Sequence, residues 1–339
     1  MTERNEPPPE GRRMVLILPK WRRWWTAVVE LVVVAVVAVA VSSTLRTAVN
    51  TLVVEPRQVS PGWLVAAGLL YLGGSLPMAW FWWRTLLALG QRTGAAAALY
   101  AYLLGHLGKY VPGKALVIVI RVRMLRPRIT SVRLGLASVL VETLTLMAVG
   151  AGLGAALSGF VLNFDGRVTA IAILVAILAS VPALPPIARR IAGKAVGDFR
   201  AVAAAQRSDA DSAKAIRLGI TFRLLTSGWI AAIACWVLWG LSLWATLRAI
   251  GVGTLDPIRD LPLTVTAVSL AVVGGFVSML PGGLIVRDAL LLELLSPACG
   301  PANALLAAVL LRLVWLVSEL GICGILELGK RGWGLGAGE

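Results

Sequence analysis

Arg287 and Asp288 follow a helix-breaking sequence, Pro281-Gly282-Gly283, within a long apolar stretch. A charge at the centre of a membrane helix costs about 2.5–3.5 kcal/mol on insertion scales, so a charge that occurs there usually has a role. A helix that restarts after the break would direct its free N–H groups and the Arg287 guanidinium at one place, and both favour an anion such as phosphate. The alternative is a local ion pair in which Arg287 only neutralises Asp288.

A second Pro-Gly pair, Pro112-Gly113, interrupts another apolar stretch and has basic residues on both sides. Lys109 and Arg121 are the candidate anion ligands there, because apolar residues surround them. The long side chain of Lys114 is expected to reach the membrane–water interface instead.

Glu142, Arg312 and Glu319 are further charged residues within apolar blocks. Arg312 and Glu319 are seven residues apart, a spacing that places them on one face of a helix. Interhelical salt bridges, headgroup contacts and a proton relay are the alternatives for these residues. The sequence has no HExxH, CxxC, GxSxG or P-loop motif, so we predict no catalytic residue, no metal site and no cofactor.

The composition indicates a membrane protein. Of 339 residues, 58% are hydrophobic and 14% are charged, whereas an average soluble domain has about 25% charged residues. This excludes an ordinary cytosolic enzyme, a disulfide-rich secreted domain and a disordered regulator. The net charge is +15, but the Lys and Arg residues lie between apolar blocks and form no single patch, so they indicate membrane topology and no nucleic-acid partner.

The apolar blocks predict an all-α polytopic membrane protein with about six full transmembrane helices and two re-entrant hairpins. Six blocks are long enough to cross the membrane: 26–45, 62–83, 134–157, 168–187, 218–247 and 303–327. The two stretches that contain the Pro-Gly pairs, 95–120 and 263–295, are the predicted hairpins, because proline and glycine break helices.

The order span, span, hairpin, span occurs twice, in 26–157 and in 168–327. The second copy starts on the opposite side of the membrane, so the pattern predicts an inverted repeat whose two Pro-Gly tips meet near the midplane. The alternative is that 95–120 and 263–280 are plain spans and the symmetry is accidental.

The transmembrane domain is predicted to extend over 23–330. It follows a basic, partly disordered cytoplasmic segment, 1–22, and precedes a short tail, 331–339. The loop 188–217 mixes alanine with charged residues and predicts an amphipathic surface helix.

The two motifs together resemble the lysylphosphatidylglycerol synthase transmembrane region, also called the flippase-like integral membrane protein family. The resemblance covers roughly residues 20–330 and rests on Gly108-Lys109-Tyr110-Val111-Pro112-Gly113-Lys114, on Arg121 and Glu142, and on the segment 281–288. The family usually has glycine where this chain has Ile285, and glutamate where it has Asp288.

The resemblance implies a lipid translocase of the prokaryotic cytoplasmic membrane and not an enzyme. It would move or bind an anionic or polyprenyl-phosphate lipid, and a separate aminoacyl-transferase or glycosyltransferase could be its partner, because no synthase domain is expected in this chain. The alternatives are a membrane subunit or enzyme of lipid or glycolipid modification, and a scaffold that does not transport. The expected substrate-binding residues are Lys109, Pro112, Gly113, Arg121, Glu142, Pro281, Gly282, Gly283, Arg287, Asp288 and Arg312.

The positive charges predict that both termini and the 188–217 loop face the cytoplasm. With this orientation, 24 of the 32 Lys and Arg residues lie inside and 5 lie outside, and basic loops are retained on the inside. A cysteine at Ser212 should react with an impermeant maleimide only from the inside, and a cysteine at Asn163 only from the outside. Labelling of position 163 from the inside alone would contradict this topology.

Overall fold

The computed structural model describes residues 58–110, 115–126, 128–161, 181–198, 209–252, 256–278 and 285–329, with positions 170, 174 and 177. Several predictions lie outside these residues. They are the segment 1–22, the span 26–45, most of the span 168–187, the tail 331–339, and the tip residues Pro112, Gly113, Pro281, Gly282 and Gly283.

The described residues form ten α-helices and no strand, which confirms the predicted all-α polytopic membrane protein. Five of the helices are long and apolar enough to cross a membrane: α1, α4, α7, α8 and α10. The helices are α1 (Pro61–Ala88), α2 (Ala95–Gly105), α3 (Ala115–Leu125), α4 (Val132–Val161), α5 (Pro185–Asp198), α6 (Asp209–Gly219), α7 (Phe222–Ala249), α8 (Pro257–Val277), α9 (Val286–Cys299) and α10 (Pro301–Gly329). A 3-10 helix, His106–Tyr110, continues from α2.

Four of the predicted spans, 62–83, 134–157, 218–247 and 303–327, correspond to α1, α4, α7 and α10. The third of these helices begins at Phe222 and not at 218, because the side chain of Thr221 caps it by accepting a hydrogen bond from the Leu224 N–H at 3.2 Å. The order span, broken stretch, span occurs twice in the described residues. The inverted symmetry between the two copies stays a prediction.

The first helices of the two broken stretches differ in length, and the second agrees with the alternative in which 263–280 is a plain span. In the first, α2 and α3 have 11 residues each, about 16 Å at 1.5 Å per residue. In the second, α8 has 21 residues, about 31 Å, and is long enough to cross the membrane alone. The apolar block starts at 263, but the helix starts six residues earlier because Asp256 caps its N-terminus and Pro257 fits its first turn.

Helix α7 is central to the bundle and contacts α1, α4, α8 and α10. Glycines allow the close approaches, as is common between membrane helices. Gly228 of α7 faces the ring of Phe81 in α1, Gly240 faces Val265 in α8, and Gly150 of α4 faces the ring of Trp236. The indole N–H of Trp236 also donates a hydrogen bond to the Leu146 carbonyl at 3.0 Å. This packing fixes the helices that surround the cavity described below.

The loop 188–217 contains two helices, α5 and α6, where the sequence predicted one, and residues 199–208 between them lie outside the described part. Both are amphipathic: Ala188, Ala192 and Ile216 are buried, whereas Lys194 and Lys214 are exposed. Ser212 is fully buried, so a cysteine at Lys214 is the better position for the topology experiment.

Replacement of Gly150 tests the packing of α4 against α7. Gly150→Ala should lower the free energy of unfolding by about 1–3 kcal/mol, because the added methyl group would overlap the ring of Trp236. Gly321→Ala in α10 is the matched control, because its methyl group would have no atom within 4 Å and alanine favours a helix over glycine by about 1 kcal/mol. Thermal unfolding in detergent should separate the two variants, and equal midpoints would contradict this packing.

Candidate functional site

A cavity of about 340 Å³ lies between the two broken stretches. Helices α1, α4, α7 and α10 complete its wall. Most of the lining side chains are apolar or aromatic, and the basic residues project among them. Such a cavity suits a ligand that has a small charged part and an apolar part.

The structure brings together the predicted site residues that it describes. Lys109, Arg121, Glu142, Arg287 and Arg312 all line the cavity. Asp288 contacts Arg312 and so lies directly beside it. The predicted tip residues lie outside the described part, as stated above.

Lys109 is held by Glu319 and Tyr71. Its ammonium group forms an ion pair with the Glu319 carboxylate and donates a hydrogen bond to the Tyr71 hydroxyl at 3.0 Å. The Tyr71 hydroxyl in turn donates to the same carboxylate. This network joins the first broken stretch to α1 and α10. Glu319, which the sequence linked only with Arg312, is therefore the partner of Lys109.

Arg121 and Glu142 form a fully buried ion pair between α3 and α4. The Arg121 Nη1 donates to Glu142 Oε2 at 2.8 Å, and the Tyr102 hydroxyl donates to Oε1 at 3.1 Å. The guanidinium also lies over the Tyr102 ring, 4.0 Å from its centroid. Gly105 leaves room for the arginine side chain, because a Cβ there would meet Arg121 Cγ. Of the alternatives for Glu142, the structure shows the salt bridge.

Asp288 pairs with Arg312 and not with its neighbour Arg287. The Arg312 Nη2 lies 2.8 Å from Asp288 Oδ1 and 2.7 Å from Oδ2. Consecutive residues of a helix point in different directions, so Arg287 and Asp288 do not face each other. The interpretation of Arg287 and Asp288 as a local neutralising pair is therefore wrong.

Arg287 is left as a buried cation without a carboxylate partner among the described residues. It is 8% exposed, and its Nη2 has no hydrogen-bond partner there. The guanidinium carbon lies 4.3 Å from the centroid of the Trp315 ring. A desolvated donor without a partner is unfavourable, so a hydrogen-bond acceptor at this point would stabilise the guanidinium.

The residue that starts α9, Ile285, has φ 71° and ψ −61°. This is the region of the classic γ-turn, which is strained for a β-branched residue and open to glycine. The glycine that is usual here in the family would adopt this conformation without strain. The chain thus turns abruptly just before Arg287.

Three aromatic residues form a cluster beside Arg287 that the sequence analysis missed: Tyr71, Trp239 and Trp315. The rings of Tyr71 and Trp315 are stacked with centroids 4.2 Å apart. The indole N–H of Trp315 donates to Ser242, and that of Trp239 donates to the Tyr71 carbonyl. These residues lie in the middle of apolar spans, whereas interfacial aromatic residues lie at the ends. That position was the signal that could have identified them.

The described residues include no group of three His, Cys, Asp or Glu that could hold a metal ion. The polar groups that line the cavity are four Lys and Arg cations and three tyrosine hydroxyls, together with His106, Glu142 and Thr143. This chemistry suits an anion and not a metal cation.

The fold and the cavity together define a polytopic helical membrane protein with a basic internal site. The chain matches the model of the family described as lysylphosphatidylglycerol synthase TM region over residues 22–321, and it belongs to that family. No curated protein matches it. Membership links the protein to lipid modification or lipid flipping.

Removal of the Glu142 carboxylate tests the buried ion pair. Glu142→Gln should lower the free energy of unfolding by about 3–5 kcal/mol, because Arg121 becomes a buried unpaired charge. The double variant Arg121→Gln with Glu142→Gln should recover much of this loss. Glu293→Gln removes a carboxylate from an exposed position of α9 and should change stability by less than about 0.5 kcal/mol.

Denaturation in detergent of these three variants and of Arg121→Gln alone gives the four values. If the double variant were as unstable as the sum of its two single variants, Arg121 and Glu142 would not be coupled.

Proposed function

We propose that this protein binds the phosphate headgroup of an anionic lipid in the cavity and moves the lipid between the two leaflets of the membrane. The observation that carries the proposal is the Arg287 guanidinium, which is buried in the cavity wall and has no partner for Nη2 among the described residues. The proposal places the protein in a prokaryotic cytoplasmic membrane, with both termini in the cytoplasm, as the charge bias predicts.

A phosphate is the ligand that best completes this site. The planar guanidinium can donate two parallel hydrogen bonds to phosphate oxygens, and a charge-assisted hydrogen bond is stronger than a neutral one. The contact between Arg287 and the Trp315 ring restricts the guanidinium before the ligand arrives. Less conformational freedom is then lost on binding.

The ion pairs around the cavity suggest how the cavity would open to one side of the membrane at a time. Lys109–Glu319 and Arg312–Asp288 each connect a broken stretch to α10. At least one side chain of each pair is partly exposed. Lys109 and Arg312 can therefore exchange their carboxylate for a lipid phosphate at lower cost than Arg121, whose pair with Glu142 is fully buried. In the proposed cycle, Arg121–Glu142 stays intact, whereas the other two pairs open when one side of the cavity opens.

The contacts favour transport or binding over catalysis. Glu142 and Asp288, the acid–base candidates of a membrane enzyme, are both held by arginines. A general base needs a free carboxylate within reach of the substrate. We therefore propose that any enzyme which modifies the lipid, such as an aminoacyl-transferase or a glycosyltransferase, is a separate partner.

Substitution of Arg287 tests the proposed function. Arg287→Gln should reduce the translocation of fluorescent phosphatidylglycerol in proteoliposomes about 10-fold or more, because charge-assisted hydrogen bonds contribute about 1.5–3 kcal/mol and each 1.4 kcal/mol is tenfold. Arg287→Lys should recover only part, since an ammonium keeps the charge but loses the bidentate geometry.

Arg84→Gln is the matched control. It removes the same charge from a guanidinium that also lies over a tryptophan ring, Trp80, but at an exposed position away from the cavity. Dithionite quenching of the fluorescent lipid measures the rate. Wild-type rates in folded Arg287→Gln would contradict the proposal, as would an equal loss in Arg84→Gln.

A further inference from the structure

We propose that the surface around the junction of α6 and α7 binds the headgroups of anionic lipids in the surrounding membrane. Four exposed basic residues and two exposed apolar residues form this junction surface: Arg190, Lys214, Arg217, Arg223, Leu218 and Phe222. In the described part of the chain, the lining of the cavity includes none of them. The inference therefore does not depend on the proposed function.

The junction surface lies at the level of the lipid headgroups. Helix α7 has 28 residues, about 42 Å in length, and a bilayer with its headgroup regions is about 40–45 Å thick. The first residues of α7 therefore lie in the headgroup region on one side of the membrane. Helix α1, which also has 28 residues, ends at the same level, because a Cβ at Gly219 would meet the Ala88 carbonyl.

Helix α5 is held against this junction. The Arg189 Nε donates a hydrogen bond to the Ile220 carbonyl at 2.7 Å, and Ile220 lies in the turn between α6 and α7. The next residue along α5, Arg190, is exposed. The guanidinium of Arg190 is thus available to lipid beside the junction.

The charges of α6 are divided along its length. Asp209 and Asp211 lie at its N-terminal end, whereas Lys214 and Arg217 lie nearer the junction. Ile216 is buried, so another face of α6 holds it to the protein while Lys214 and Arg217 are exposed. The end of α6 that lies near the headgroups is therefore basic.

Large apolar side chains beside the basic ones favour a lipid surface over a soluble protein partner. Leu218 is 65% exposed and Phe222 is 64% exposed, and each is adjacent in sequence to an exposed arginine, Arg217 or Arg223. Apolar side chains at this level can enter the boundary of the acyl chains, while the arginine stems keep the guanidinium groups at the phosphates. Such a surface fits a membrane that contains anionic lipid.

Quenching by brominated lipids tests the inference in the full chain. A fluorophore attached through Ile230→Cys reports the neighbouring lipids, because position 230 is 66% exposed and lies about 12 Å along α7 from Phe222. The liposomes contain phosphatidylcholine and phosphatidylglycerol, one of them brominated in its acyl chains, and the quenching gives the ratio of their association constants. The protein without Ile230→Cys measures the background from the native cysteines.

We expect phosphatidylglycerol to be preferred about fivefold or more at low salt. Lys214→Gln with Arg217→Gln should lower the ratio to near one, because each cation near an anionic surface contributes about fivefold, equivalent to about 1 kcal/mol. Arg190→Gln with Arg223→Gln is an independent pair with the same expected result. Arg217→Lys keeps the charge and should keep the ratio. The ratio should also fall at 1 M salt, where the screening length is about 3 Å.

Arg259→Gln is the matched control. It removes one exposed arginine from the first turn of α8, which follows the opposite end of α7. The ratio at position 230 should therefore not change. Arg287→Gln should not change it either, because the junction surface is separate from the cavity. Circular dichroism and gel filtration show that each variant remains folded.

A ratio near one in the wild-type protein would overturn the inference and leave a soluble acidic partner as the occupant of this surface. A preference that persists at 1 M salt, or in both folded double variants, would overturn it as well. Loss of the preference in Arg259→Gln or in Arg287→Gln would also do so, because the bound lipid would then lie elsewhere. An intact preference together with absent translocation would contradict only the proposed function.

Discussion

Charge pairing in an apolar environment is the constraint on which the rest of this structure depends. An ion buried without a partner is expensive, and a bundle of membrane helices has few polar groups with which to compensate it. The fold meets this requirement for Lys109, Arg121 and Arg312 by placing a carboxylate against each. It does not do so for Arg287 within the described residues. Arg287 is thus the exception among the four Lys and Arg residues that line the cavity in the described part.

The broken stretches make these pairs possible. Lys109 lies near the end of a short helical segment, and its side chain can therefore point into the interior of the protein. Each ion pair joins residues from different helices. The pairs therefore stabilise the position of the broken stretches against α4 and α10, and a ligand that competes for one pair would change that position. Binding of the proposed ligand would be coupled to conformation for that physical reason.

The aromatic cluster explains how the Arg287 guanidinium is tolerated without a carboxylate partner in the described part of the chain. Trp315 offers its ring face to Arg287 at 4.3 Å, and the negative face of an indole attracts a cation. Tyr71 stacks on the Trp315 ring and also accepts a hydrogen bond from Lys109 through its hydroxyl. The cluster thus contacts both Arg287 and Lys109 and keeps both cations in position. The attraction of the ring is weaker than that of a phosphate, so this contact would not prevent the proposed binding of a phosphate.

The all-helical membrane class, four of the spans and most of the charged residues that line the cavity could be predicted from the sequence alone. These follow from the length of apolar blocks, from proline and glycine, and from the cost of a charge in lipid, all of which are local properties. The ion-pair partners of these charged residues, in contrast, depend on the tertiary structure. Arg287 and Asp288 are adjacent in the chain, yet Asp288 binds Arg312, and Lys109 binds Glu319 at a separation of 210 residues. Side-chain partners depend on which helix faces meet, and that depends on packing contacts such as Gly150 against Trp236, which no local pattern encodes.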